Sequence, residues 1–391
     1  MAANHLIGRL ATKGLLAVAV IGGALATAWL PAFAEPPAAP TTESSLRDLY
    51  SGPVEGWPAA HWMEGVEHRE LGVLPKVKHP ENNPYTDAKA DLGKQLFFDP
   101  RLSSSNGVAC VSCHHPDLAW ADGKTAAQGH HLQTGSRNSP SLMNAAFRTQ
   151  LMWDGRAASL EDQVLLPLSN DKEMHADFGD VEKRLNTIPG YKKQFAAVFG
   201  DDKPITLERV TMAIACFERT IVGGRSRFDQ FLKGKPDALT DQELRGLHLF
   251  RTAANCINCH SGPTMSDGKF HNLGLTYYKR QYEDLGRYNV TKNPDDIGRF
   301  LTPPLRNISR TGPYMHNGFF NLEGVVAMYN AGGPRVVATS EAEKADPLFP
   351  QKDALLKPLK LNAEDRAAIV AFLKALEEPA LRVRSTQPAD Q

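Results

Sequence analysis

Two short constellations carry the most specific chemistry in the chain: Cys110-Val111-Ser112-Cys113-His114 and Cys256-Ile257-Asn258-Cys259-His260. Two thiols three positions apart can form thioether bonds to the two vinyl groups of one porphyrin. The histidine that follows can then reach the iron from the proximal side. A lone Cys-x-x-Cys is compatible with a redox dithiol or half of a zinc site; a histidine following at once, twice over, argues against both. The spacing predicts two covalently bound heme c groups. Cys110, Cys113, Cys256 and Cys259 would attach them, and His114 and His260 would ligate the irons. Each histidine is expected to hand its second ring N–H to a backbone or carboxylate acceptor. Of the 5 cysteines, Cys216 is left over. It lies in the helical-looking run Arg209–Ile221 and reads as a buried, inert thiol.

Similar elements lead into both constellations. Leu92-Gly93-Lys94-Gln95-Leu96-Phe97 precedes the first, and Leu244-Arg245-Gly246-Leu247-His248-Leu249-Phe250 precedes the second. Apolar residues at helical spacing run into each heme loop, as in the first helix of a c-type cytochrome. The expected fold is therefore mainly α, with two cytochrome-c-like heme domains in tandem over 86–235 and 236–380. Gly234 and Pro236 punctuate the boundary near Lys233–Leu239. Residues 35–85, Pro-rich and irregular, read as an N-terminal arm packed on the domains. Residues 381–391 read as a C-terminal tail.

The length of 391 residues suits two domains, since single cores stop growing at roughly 250–300 residues. Arg9 and Lys13, the apolar stretch Gly14 to Leu30 and the small-x-small pattern Ala32-Phe33-Ala34 read as a secretory signal over residues 1–34. Its removal takes the net charge from zero to −2, because two basic and no acidic residues go with it. With no later stretch apolar enough to span a bilayer, the expected location is the periplasm. The balanced charge offers no basic footprint for nucleic acid. Any docking partner must be met by local charge or apolar contact.

A further set of motifs resembles the bacterial diheme cytochrome c peroxidase / MauG-like family across residues 85–378. It comprises Leu96-Phe97-Phe98-Asp99-Pro100-Arg101-Leu102-Ser103, Gly135-Ser136-Arg137-Asn138-Ser139-Pro140, Trp153-Asp154-Gly155-Arg156, Phe217-Glu218-Arg219-Thr220, Leu305-Arg306-Asn307-Ile308 and Pro313-Tyr314-Met315-His316-Asn317-Gly318. Their order and spacing together make the likeness specific. It implies that the N-terminal heme is the peroxidatic one, with Glu173 and Gln163 on its distal side. Breaking the O–O bond of peroxide needs a group that carries a proton from one oxygen to the other, and a carboxylate in an apolar pocket can do so. Gln163 would orient peroxide or water; Glu161 is the rival to Glu173, but reads as a first-turn helix charge. The resemblance also implies that Trp153 lies between the hemes as an electron stepping stone. His130, with His131 as neighbour and rival, would ligate the first iron in the resting state, so that a loop must swing away before peroxide binds.

Asn138, Thr311 and Pro313 match positions that hold a calcium ion between the family's domains, and their oxygens suit a hard cation. At the second heme the family's methionine position, aligned on Leu322-Glu323-Gly324-Val325-Val326, falls on Tyr329, with Met328 beside it. Adjacent helical residues point about 100° apart, so only one can face the iron. Met315 is a further rival. A methionine ligand suits a heme that accepts electrons; a tyrosine ligand resembles MauG-type enzymes, which oxidise a partner protein. Three functions stay open. One is a hydrogen peroxide reductase fed by a small periplasmic c-type cytochrome or copper protein. Another is a MauG-like enzyme acting on a protein substrate, and the last is a non-enzymatic diheme electron carrier. A homodimer is compatible with any of them.

Overall fold

The computed structural model describes residues 45–379. The expected signal peptide, the first part of the arm and the tail at 381–391 lie outside the described residues.

Polar caps and apolar stripes build the helices. After the single turn α1 (Leu46–Leu49) and an extended stretch comes α2 (Asp87–Phe98), capped by Thr86 and burying Leu92, Leu96 and Phe97. The long segment after it contains the first Cys-x-x-Cys-His turn and no α-helix until α3 (Leu160–Ser169). Next come α4 (Phe178–Thr187), α5 (Pro189–Phe199) and α6 (Leu207–Glu218). The chain continues through α7 (Arg227–Leu232) and α8 (Asp241–Arg251), the latter opened by a Thr240/Glu243 capping box. Then follow α9 (Tyr288–Thr291), α10 (Leu322–Asn330), α11 (Glu341–Lys344) and α12 (Ala363–Ala375). The strands β1 (Phe270–His271) and β2 (Phe300–Leu301) pair antiparallel, Phe270 opposite Leu301. The fold is mainly α.

Two apolar cores dominate. The first gathers Leu96 and Phe97 of α2, Trp120, Leu168, Tyr191 and Ile214. The second gathers Leu247 and Phe250 of α8, Phe372 of α12, and Tyr50, Trp57 and Leu71 of the N-terminal arm. Phe228 and Phe231 of α7 precede the Gly234/Pro236 punctuation and belong to this second core. The paired sequence motifs do the same job in each core. Gly93 lets α2 press against α6, where a Cβ would overlap the Ala213 carbonyl. Gly246 lets α8 press against α12, where a Cβ would overlap that of Ala368. Arg251, 1% exposed, fastens the arm by donating to Glu70, the Tyr50 hydroxyl and the Pro58 carbonyl.

Candidate functional site

Each Cys-x-x-Cys-His segment is one tight 3-10 turn at the end of a loop. His114 hydrogen-bonds through Nδ1 to the Trp120 carbonyl at 3.1 Å, and His260 does the same to Met265 at 3.2 Å. That tautomer leaves Nε2 as a free acceptor on both rings. Burial holds both imidazoles neutral, His114 pushed down to about 4, which is the state a metal ligand needs. The four thiols are unpaired and partly buried. Cys110, Cys113 and His114 line one cavity; Cys256, Cys259 and His260 line another. The donor set at each cavity fits a heme.

Gln163 and Glu173 border the first cavity. Gln163 sits on α3, which Ser159 caps by accepting the Asp162 N–H. The chain then folds back along the end of α3: Met174 donates to the Pro167 carbonyl and Ala176 to that of Leu168. This return carries Glu173 to the cavity wall. Its Oε1 accepts from Asn170 Nδ2 at 2.8 Å. Burial raises the carboxyl's pKa, opposed by the Arg156 charge and the Asn170 bond. Glu161 does sit in the first turn of α3, but it is engaged by Arg219 at 2.7 and 2.8 Å and by Asn83, and it does not border the cavity.

His130 is not among the residues lining the first cavity. Its backbone N–H donates to the Glu173 carbonyl at 2.7 Å and its Nδ1 lies 3.2 Å from Ser104 Oγ, while the ring packs on His131 and His175. These contacts hold it off the cavity in this conformation.

Trp153 borders both cavities. Its Nε1 donates to the Asn138 carbonyl at 2.9 Å, and its ring lies edge-on to His316, 6.4 Å between centroids. Arg137, Asp154 and Arg156, present in the quoted motifs without a role, form an ionic frame with Asp284. Arg137 binds Asp284 with Nε and Nη2 and Asp154 with Nη1, and Arg156 also pairs with Asp154. Fork-like pairing of this kind fixes orientation as well as charge. Asn138 borders both cavities too, whereas Thr311 and Pro313 border only the second.

On α10 the residues Leu322, Val325, Val326 and Tyr329 face the second cavity, spaced as one helical stripe. Met328 falls off that stripe and does not line the cavity; Met315 does. Burial pushes the Tyr329 phenol up, with the Cys259 and Cys256 sulfurs adding to the shift. Next to Cys259, His271 is clamped between Asp353 at 2.6 Å and Asp267 at 2.8 Å, which raises its pKa despite burial. Cys259, Asp267 and His271 have ligand atoms close enough to hold a metal. A thioether at Cys259 would remove that thiolate, so the group reads as an ion-pair brace.

Sequence reasoning also missed Glu218 on α6. This carboxyl is 3% exposed, borders the first cavity, and has no partner for its Oε2. Burial pushes its pKa up to about 8. The available signal was an acid continuing the apolar stripe of α6, four residues after Ile214. Cys216 is fully buried.

A mainly helical chain with two Cys-x-x-Cys-His cavities meeting at a shared tryptophan has the makings of a diheme cytochrome. The comparisons with known proteins narrow this class. The profile of the di-haem cytochrome c peroxidase family matches residues 87–237. The chain is 37% identical over 355 residues to cytochrome-c peroxidase IdrP1 of Pseudomonas sp. (strain SCT), covering 83% of this chain and 90% of the relative. It is 40% identical over 308 residues to methylamine utilization protein MauG of Methylorubrum extorquens, covering 78% and 82%. A crystal structure of a MauG-like protein associated with microbial copper homeostasis superposes with a TM-score of 0.70 at 32% identity, covering 81% of this chain and 96% of that one. The fold of the diheme peroxidase BthA from Burkholderia thailandensis also matches, with a TM-score of 0.63 at 24% identity, over 83% of this chain and 99% of that one. The chain belongs to the di-haem cytochrome c peroxidase family, whose members carry two hemes. No helix among the described residues is long and apolar enough to cross a membrane.

Proposed function

We propose that this chain is an exported diheme peroxidase that reduces hydrogen peroxide to two waters, consuming two electrons and two protons. One heme c is bonded to Cys110 and Cys113 with His114 as ligand, the other to Cys256 and Cys259 with His260. Each belongs to one of the two expected domains. The first heme, when bound, supplies the redox centre for O–O cleavage. The chain's own residues then manage protons, orientation and electron entry.

Glu173 accepts a proton from one peroxide oxygen and returns it to the other. Its raised pKa supports this, because burial lets it exchange a proton nearer neutral pH than an ordinary carboxyl. Gln163 orients the peroxide by hydrogen bonds. Trp153 relays electrons between the cavities. Ligation by His130 in a resting state requires the 129–133 loop to leave its contacts with Glu173 and Ser104. The signal reading of residues 1–34 supports a periplasmic location, with a small c-type cytochrome or copper protein as electron donor. Calcium at Asn138, Thr311 and Pro313 rests on the motif resemblance and on the oxygen donors these residues offer a hard cation.

The carrying observation is that Glu173 and Gln163 border the same cavity as Cys110, Cys113 and His114. Glu173→Gln should retain both hemes by absorbance while peroxide turnover falls by about 10²–10⁴; unchanged turnover overturns the role. One observation favours a second reading, in which peroxide drives oxidation of a partner protein: Tyr329, not Met328, is on the cavity-facing stripe of α10. The ferric spectrum of the same preparation separates the two. A His/Met sulfur-to-iron band would favour the electron-accepting second heme and exclude Tyr329.

A further inference from the structure

The two cavities share a wall, and its composition is unusual in one respect. Asn138, Ser139, Pro140, Ser141, Arg148, Trp153 and His316 border both. Every other arginine lining either cavity is neutralised: Arg137 by Asp284 and Asp154, Arg156 by Asp154, and Arg306 by Asp229. Arg148 has no carboxylate partner among the described residues. Its sole hydrogen bond from the side chain is a long one, Nη2 to the Ser141 carbonyl at 3.3 Å, and its Nε is buried without any acceptor.

An unpaired guanidinium in that setting is expensive. Arginine keeps its proton in proteins, so it cannot escape the cost by neutralising, and it presents five donors in a fork that matches a carboxylate. Arg148 is half-buried at this wall with its Nε enclosed, and once a heme fills the cavity and displaces water, a charge left there uncompensated costs several kcal/mol by general experience. Here burial, with no anion nearby, pushes the Arg148 pKa down to about 10. The partner must therefore come from outside the polypeptide. Each heme brings two propionate carboxylates into its cavity, and these are the anions that the established cofactors supply.

We propose that Arg148 is the anchor for heme propionate at the wall between the two cavities, a positioning residue that binds a carboxylate of one or both hemes and so ties their electrostatics together. Arg148 lies close enough to His114 for its charge to disfavour protonation of that ring, which puts it near the first heme's ligand as well as at the border with the second. The inference rests on two hemes being bound and not on the identity of the oxidised substrate.

A cation paired with a propionate stabilises the reduced heme, because it offsets the negative charge that remains beside the iron. Losing it should make reduction harder. In holoprotein carrying both hemes, Arg148→Leu should lower the reduction equilibrium constant of at least one heme about tenfold, or about 59 mV for one electron. Spectroelectrochemical titration reads this without any turnover, and the heme whose absorbance shifts identifies which propionate is held. Arg148→Lys keeps the charge but loses the fork. It should leave both potentials near the wild-type values while shifting the propionate-bending bands in the resonance Raman spectrum. Should the leucine variant fail to load heme, the lysine variant and its Raman bands still decide. Unmoved potentials in a fully loaded leucine variant, or unmoved propionate bands in the lysine variant, would overturn the assignment. Loss of peroxide turnover in Glu173→Gln, or its persistence, has no bearing on either readout.

Discussion

At the residue scale the chemistry is set by polar groups that the two cores enclose without fully satisfying. Glu218 is the sharpest case, because the folded chain retains a proton there that the unfolded chain releases near the ordinary value of 4.5. Between that value and about 8, folding takes up a proton. Stability should therefore fall as pH rises through this window, by up to about 1.4 kcal/mol per pH unit from this one group. Glu218→Gln should remove that component of the slope, and denaturant unfolding of both proteins from pH 5 to 8 checks it. His271 shifts in the same direction for a different reason, its charged form being the one favoured against the cost of burial. Its two aspartates favour the cation, so its contribution is present at neutral pH and lost only as pH climbs above the ordinary histidine range.

At the element scale the two halves solve one packing problem with one device. A helix entering each heme loop must pass another helix at backbone contact, and a glycine stands at each crossing, Gly93 against Ala213 and Gly246 against Ala368. Gly246→Ala forces α8 and α12 apart, although alanine would otherwise favour the helix. The expected loss is about 1–3 kcal/mol or more, as for other overpacked cores. Gly56→Ala has open space around the new methyl and should stay within about 0.5 kcal/mol. Thermal unfolding of the pair separates the close approach from any general effect of replacing glycine. The same scale separates two of the second heme's candidates. Tyr329 and Met328 are adjacent in sequence, and the phase of α10 turns only Tyr329 to the cavity.

At the scale of the whole molecule, the decisive feature is the wall at which the two cavities meet. Trp153 borders both and is held by its bond to Asn138, and the next residue, Asp154, belongs to the Arg137–Asp154–Asp284 frame. Trp153→Phe keeps an aromatic ring but loses the indole and its hydrogen bond. Both hemes should still load and peroxide should still react at the first, while electron equilibration between the hemes slows. Rapid-mixing spectroscopy follows that step, and equal inter-heme rates would take Trp153 off the path.

The amino-acid sequence by itself determined the two Cys-x-x-Cys-His segments and the mainly helical class. Both are local: a covalent attachment needs a fixed spacing of a few residues, and an apolar stripe is written in one helix's own period. Gly93 and Gly246 stood visible in the paired motifs, though not the backbones they touch. What only the tertiary structure decided depends on residues far apart in the chain. The lack of a carboxylate for Arg148 and of a partner for Glu218 Oε2, among the described residues, appears only once every neighbour is in position. So does the turning of Tyr329, and not Met328, toward the cavity, and so do the contacts that hold His130 away from it. Charge compensation and cavity lining are properties of the packed whole, because they count what surrounds a side chain rather than what precedes or follows it.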